Sequence, residues 1–169
     1  MRTLSNEGIQ LIQHFESCRL KTYLCSAGKL TIGWGHTGAD VKPKMVITQA
    51  RADELFRIDV SRFVKDVNDL VKIDVTQKQF DALVSFAFNV GSDIDKDTIA
   101  EGLGDSTLLK LVNAGSFSKA ADEFPKWNKQ TVAGKKVVVL GLSKRRAAER
   151  SLFSGASVEG ALRIAESIR

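Results

Sequence analysis

Glu16, Cys25 and Thr31 are the residues of this 169-residue chain whose types and spacing offer chemistry. Glu16 follows Phe15 at the C-terminal end of an expected helix, where the negative pole of the helix disfavours a carboxylate. The aromatic neighbour adds apolar surroundings. Both effects favour a carboxyl group that keeps its proton, as a general acid must. Cys25 falls on the first strand of an expected hairpin and Thr31 on the second, so the turn can bring thiol and hydroxyl to one face. A plainer role for Glu16 is a salt bridge, for instance with Arg19. The residues alone leave both roles open.

Cys18 stands seven residues before Cys25, on the other side of the same bend. If their Cα atoms approach within about 4.4–6.8 Å, a disulfide would draw the Cys25 sulfur aside and act as a reversible redox latch. The alternative is that Cys18 is a small buried residue beside the helix end. The two histidines, His14 and His36, and the two cysteines form no cluster with metal-ligand spacing, so no metal is expected.

The elements that must position these residues follow from periodicity and punctuation. Ser5 can cap a first helix carrying Ile9, Leu11, Ile12 and Phe15. Residues 22–37 are rich in Gly, Thr and aromatics, and Ser26-Ala27-Gly28-Lys29 supplies turn chemistry for a hairpin. After Pro43, Thr48 can cap a long helix to about Lys72, with Phe56, Val60, Phe63, Val67 and Leu70 as its seam. Thr76-Gln77-Lys78-Gln79 has the form of a capping box, and Gly91 ends the helix it opens. Three short helices are expected over 106–113, 118–124 (ended by Pro125) and 143–153. The stripe Val158, Leu162, Ala165 and Ile168 is thin and predicts a loosely docked last helix.

The fold class is therefore α+β, with a small hairpin-containing lobe and a mainly helical lobe joined by a long helix. The single domain divides into a small lobe at about 17–47, a connecting helix at 48–72, and a helical lobe at 73–155 that includes the N-terminal helix 5–17. Residues 156–169 form a C-terminal extension. A ligand site is expected in a cleft between lobes.

Composition bounds the rest. With 43% hydrophobic and 27% charged residues, the chain is an ordinary globular one. Its longest apolar run near the C-terminal end, Val137 to Leu140, is far too short to span a membrane. The first residues lead into a polar cap and not a signal peptide, which predicts a cytoplasmic chain. The net charge of +5 is concentrated between Lys126 and Arg150, which hold eight Lys/Arg and one acid, Glu149. Such a segment suits a polyanion, either nucleic acid or the anionic bacterial envelope, or else is a solvated helix face.

Phe15-Glu16-Ser17-Cys18-Arg19-Leu20-Lys21-Thr22-Tyr23 and Thr31-Ile32-Gly33-Trp34-Gly35-His36-Thr37 resemble the active-site signature of the phage-type lysozymes. These are the endolysins of glycoside hydrolase family 24. Downstream, Gln79 to Gly91 resembles the family's core helix, and Ser106-Thr107-Leu108-Leu109 and Gly141 to Arg150 resemble its C-terminal motifs. The likeness spans about residues 5–155 in the same order. It implies a lysozyme-like fold and a muramidase that hydrolyses the β-1,4 bond between N-acetylmuramic acid and N-acetylglucosamine in peptidoglycan, without cofactor.

The family triad is Glu, Asp, Thr. Glu16 and Thr31 match it, and Cys25 stands where the Asp does. By that resemblance Glu16 protonates the glycosidic oxygen, Cys25 replaces the second catalytic group, and Thr31 holds the attacking water. Asn89 matches a cleft-facing position and is a candidate glycan contact, or else simply a helix-end residue beside Gly91. Gly33 and Gly35 serve backbone conformation, His36 a structural hydrogen bond, and at least one of Arg145 and Arg146 a structural pair. The resemblance also implies a monomer that reaches the wall through a holin. Two other readings stay open: a lytic transglycosylase using Glu16 alone, and a catalytically silent peptidoglycan-binding protein. No nucleic-acid motif accompanies the basic segment, so no nucleic-acid partner is expected.

Overall fold

The computed structural model describes residues 1–25, 28–95 and 101–169. Its elements in chain order are α1 (Asn6–Phe15), β1 (Arg19–Leu24), β2 (Leu30–Gly33), α2 (Gln49–Leu70) and α3 (Gln77–Val90). There follow α4 (Thr107–Asn113), α5 (Phe117–Ala121), a 3-10 turn (Phe124–Trp127), β3 (Lys129–Val132), β4 (Lys135–Val138), α6 (Leu140–Phe153) and α7 (Val158–Ser167). The class is α+β. Two compact units are present: residues 12–62, and residues 1–11 with 63–169. The unit boundaries fall within α1 and α2. Among the described residues no helix is long and apolar enough to cross a membrane.

The smaller unit is built on β1 and β2, which pair antiparallel with Tyr23 opposite Thr31 and Leu24 opposite Leu30. The register shifts between Arg19 and Tyr23, where the outer edge of β1 takes on the 45–47 segment instead: Thr22 N–H donates to Met45 O, and Ile47 N–H to Leu20 O. Ile32, Val41 and Leu55 form the core beneath, flanked by Leu30, Met45 and Ile47. Ser26 and Ala27, expected to turn this hairpin, lie outside the described residues. Thr48 caps α2 as expected, accepting from Arg51 N–H at 3.2 Å.

In the larger unit α3 is buried over nine successive residues, Gln79 to Ala87, so it is central and not one-sided. Its capping box is complete: Thr76 accepts from Gln79 N–H, and the Gln79 side chain accepts from Thr76 N–H. Ser5 accepts from Gly8 N–H at 3.3 Å and donates to the fully buried Asp81. α6 packs on α3, and an aromatic cluster closes the core. Phe86 meets Phe124 and Trp127 edge-on, with ring centroids 5.6 and 5.3 Å away.

Several expectations are corrected here. The segment after Pro125 is not all helical: β3 and β4 form a second antiparallel hairpin, with every residue of both strands exposed. Its turn, Ala133 (φ 49°) and Gly134 (φ 78°), has both central residues left-handed, as tight hairpins prefer. With no buried face, the strands carry no alternating pattern to read. Pro125 opens the 3-10 turn instead of ending α5, at a position where its missing N–H is not needed. α6 begins at Leu140, earlier than the cap at Ser143 suggested, because β4 runs into it through Val139 alone.

The last helix is not loosely docked. Val158, Ala161 and Ala165 are all at most 2% exposed where α7 lies along α6. Its small residues are what permit the close approach, and Ser157 caps it by accepting from Gly160 N–H. At least one of Arg145 and Arg146 was expected in a structural pair, and both are in one. Both are buried against Glu149, with Arg146 Nε 2.7 Å from Glu149 Oε2. Arg150 is bridged to Asp122 at 2.7 Å. The basic segment therefore offers a smaller free charge than its composition suggests.

Candidate active site

Glu16, Cys25 and Thr31 all belong to the 12–62 unit. Glu16 sits half-buried in the bend after α1, with its N–H donating to Gln13 O at 3.3 Å. Cys25 lies one residue beyond β1, not on it. Its N–H donates to Lys29 O at 3.0 Å, and its carbonyl accepts from Gly28 N–H at 2.8 Å. Since Tyr23 opposes Thr31, and Cys25 extends the pairing to Lys29, strand alternation puts Cys25 and Thr31 on the same face of the hairpin. Thr31 is 2% exposed, and its hydroxyl donates to Lys29 O at 3.0 Å, which leaves its lone pairs as acceptors. Arg19 is stacked over Tyr23, with its guanidinium carbon 4.5 Å from the ring centroid.

Asn89 is exposed near the C-terminal end of α3 and belongs to the other unit. The conditional disulfide between Cys18 and Cys25 is not formed. β1 lies extended between them. At roughly 3.3 Å per residue it holds their Cα atoms roughly 20 Å apart, several times what a disulfide spans. Cys18 instead accepts a weak bond from Gln49 Nε2 at 3.7 Å. Burial pushes its thiol pKa up, the Gln49 bond opposes this, and the charge of Asp53 adds to the rise. A thiol so held is a poor thiolate donor.

The turn after β2 has two supports, the first of which was not read from the sequence. Trp34 Nε1 donates to Asp53 Oδ1 at 2.7 Å, and Gln49 Nε2 donates to the same oxygen at 2.9 Å. The i, i+4 placing of Gln49 and Asp53 on α2 was the available signal. His36 is the second support. Its Nδ1 lies 2.9 Å from Asp59 Oδ2 and its Nε2 3.0 Å from Asp40 Oδ2. Its backbone also exchanges both hydrogen bonds with Ile32, the neighbour of Thr31. The structural role expected for His36 has its partners in Asp40 and Asp59.

Burial opposes the charge on His36, but hydrogen bonds to Asp59 and Asp40 outweigh it and hold the pKa above its ordinary value. Asp40 is in turn held below the usual carboxylate range, chiefly by its bond to His36. A raised histidine pKa stabilises the fold fully below the unfolded value of about 6.5 and ceases to do so as pH rises through the folded value. At the acid end the clamp weakens as Asp40 protonates. The Tm advantage of the wild type over His36→Gln is therefore expected at about pH 5.5 and should shrink toward about pH 9. A constant difference across that range would mean that His36 acts by packing alone.

Among the described residues, Asp93, Asp95 and Asp105 form the one group of three or more acidic, His or Cys residues close enough to share a cation. It lies in the other unit, apart in sequence from Glu16, Cys25 and Thr31.

Comparison with known proteins gives a concordant picture. Residues 13–149 match the family model described as Phage lysozyme. An endolysin of Bacillus phage B103 is 51% identical over 152 residues, which is 89% of this chain and 53% of that protein. An endolysin of Acyrthosiphon pisum secondary endosymbiont phage 1 is 40% identical, covering 90% of this chain and 99% of its own length. The muramidase domain of SpmX from Asticaccaulis excentricus superposes with a TM-score of 0.82 at 36% identity, over 92% of this chain and all of that one. The chain spans about half the length of the first curated relatives it matches, 53% and 55% of the two Bacillus phage endolysins.

Proposed function

This chain belongs to the phage lysozyme family, and on that premise we propose that it is an endolysin, a muramidase cleaving the β-1,4 bond between N-acetylmuramic acid and N-acetylglucosamine. The observation that carries the site assignment is the hairpin register, which puts Cys25 and Thr31 on one face in the unit that also holds Glu16. Glu16 gives its proton to the glycosidic oxygen as the bond to the anomeric carbon breaks. Thr31, its hydroxyl hydrogen occupied by Lys29 O, accepts a hydrogen bond from the attacking water. The Cys25 thiolate takes the second proton of that water and ends as a thiol. Asn89 as a glycan contact, a monomeric state and passage to the wall through a holin belong to the same proposal.

The thiol at position 25 makes this mechanism dependent on pH. A thiol ionises at higher pH than a carboxyl group, so the ratio of wild-type to Cys25→Asp activity is expected to rise with pH, Glu16 being common to both. Cys25→Asp supplies an ionised carboxylate from about pH 5 upward, and should match or exceed the wild type at neutral pH. Cys25→Ala should lose about tenfold to a hundredfold. Turbidity clearing of permeabilised cells across pH measures all three. An alanine variant with wild-type activity would make Cys25 a spectator.

The missing second carboxylate also favours a second reading, the lytic transglycosylase, in which the substrate's own muramic C6 hydroxyl replaces water. Mass spectrometry of digested peptidoglycan separates the two. Hydrolysis yields reducing muramic ends, and 1,6-anhydro ends would overturn the muramidase assignment. Sacculi that are bound without release of soluble fragments would identify a silent binding protein.

A further inference from the structure

The exposed hairpin leads into a pocket that the wall-cleaving proposal does not use. Asn128, the residue before β3, lines a cavity of about 480 Å³ together with Ser143, Ser151, Arg150, Ala147 and the half-exposed Ile164. That volume falls in the range of about 300–1,000 Å³ usual for small-ligand sites. The polar groups are ordered. Asn128 Nδ2 donates to Ser143 Oγ at 3.1 Å, and Arg150 Nη2 is held by Asp122 Oδ1 at 2.7 Å. Val139 N–H donates to Asn128 O at 2.9 Å, which fixes the base of the hairpin beside the cavity.

Lys129, Lys135 and Lys136 project from that hairpin, which carries no acid. Amide and hydroxyl groups, one guanidinium and apolar side chains line the pocket, and the cationic hairpin starts directly after the pocket residue Asn128. We propose that this surface binds an anionic polyol polymer linked by phosphodiesters, with one repeat in the pocket and the neighbouring phosphates along the lysines. Arg150 and the hairpin lysines meet the phosphates, Asn128 and the serines meet the hydroxyls, and Ala147 and Ile164 meet the carbon chain.

Other polyanions fit less well. The register pairs Lys129 with Val138 and Val132 with Lys135, so both faces of the hairpin mix lysine with valine. A membrane-inserting hairpin needs one wholly apolar face. No aromatic ring lines the pocket to stack a nucleobase. The inference rests on the wall-lysis reading only for its setting, because a wall carries such polymers; the binding itself is independent of catalysis.

The test is an amide NMR titration of the whole chain with sn-glycerol 3-phosphate and with a short glycerol phosphate oligomer. Shifts are expected at Asn128, Ser143, Arg150 and Ser151, and the oligomer should bind more tightly than the monomer. Asn128→Asp, which places a negative charge in the pocket, should weaken oligomer binding about tenfold. The double variant Lys135→Gln, Lys136→Gln should reduce the slope of log affinity against log salt by about one to two. Both variants should cleave phosphate-polymer-free wall fragments at the wild-type rate.

Shifts absent from the pocket would overturn the inference. So would equal affinity for single-stranded DNA, or tighter binding to phosphatidylglycerol vesicles. Loss of cleavage of the polymer-free fragments by Asn128→Asp would also overturn it, by making the pocket part of the catalytic groove. Pocket binding by a wild-type chain that cleaves no wall would keep this inference and remove the muramidase reading instead.

Discussion

Glu16→Gln is expected to abolish wall cleavage while leaving Tm and circular dichroism close to those of the wild type. The amide keeps the shape of the side chain and both heavy-atom positions, but it has no proton of carboxylic acidity to give the leaving oxygen. General acid catalysis of this kind contributes about a hundred- to ten-thousand-fold, so the residual rate should fall by that factor. Because the amide is nearly isosteric with the acid, only a small folding penalty is expected. Glu16 is half-buried in a bend, outside α1 and outside the core. Clearing of permeabilised cells and release of soluble muropeptides from purified wall both measure the effect. Activity within a few-fold of wild type would remove Glu16 from the mechanism, and a parallel collapse of Tm would make its role structural.

The second large effect is on stability, at Glu149. This carboxylate is wholly buried, receives Ser85 Oγ at 2.8 Å and Arg146 Nη2 at 2.9 Å, and pairs with Arg145 Nε at 3.2 Å. Burial pushes the Arg146 pKa down, Glu149 pulls it back, and Arg145 adds to the fall. Arg146 also lies over Phe86, 4.9 Å from the ring centroid, so the ion pair is built into the aromatic core. Glu149→Ala leaves two buried guanidinium groups without the carboxylate they share. Breaking a buried pair by removing one partner costs about 3–5 kcal/mol, a large share of a domain's stability. Denaturant titration should show the midpoint falling at unchanged slope. Glu149→Gln should recover only part of the loss, because it restores the acceptor and not the charge. A loss below about 1 kcal/mol would show that the cluster relaxes or takes in water.

These two positions differ in how far they could be read in advance. The position of Glu16, in the bend after its helix, was legible because both elements are local. Glu149 stood in a basic stretch that composition alone described as a surface feature. Only the packing of α6 on α3 turned Arg145 and Arg146 inward, where helical spacing of three and four residues brought them to one carboxylate. The redox pairing of Cys18 with Cys25 is disfavoured for a related reason. Seven residues is a short sequence separation, but an extended strand makes it a long distance, and sequence spacing alone does not reveal that geometry.

What the sequence determined by itself were the features whose signals sit within a few residues: the Thr76 capping box, the seam of α2, the stop at Gly91, the β1–β2 pairing and the motif that holds Glu16, Cys25 and Thr31 in order. Each depends on backbone preference or on a period that local chemistry imposes. Tertiary structure alone decided the rest. It clamped His36 between Asp40 and Asp59, and drew α7 against α6 through small residues that carry almost no hydrophobic signal. It also left β3 and β4 exposed on both faces, where no core imprints an alternation on the residues. Contacts between residues far apart in the chain leave little trace in either one's neighbourhood, because each end satisfies its own local rules and the pair exists only after folding.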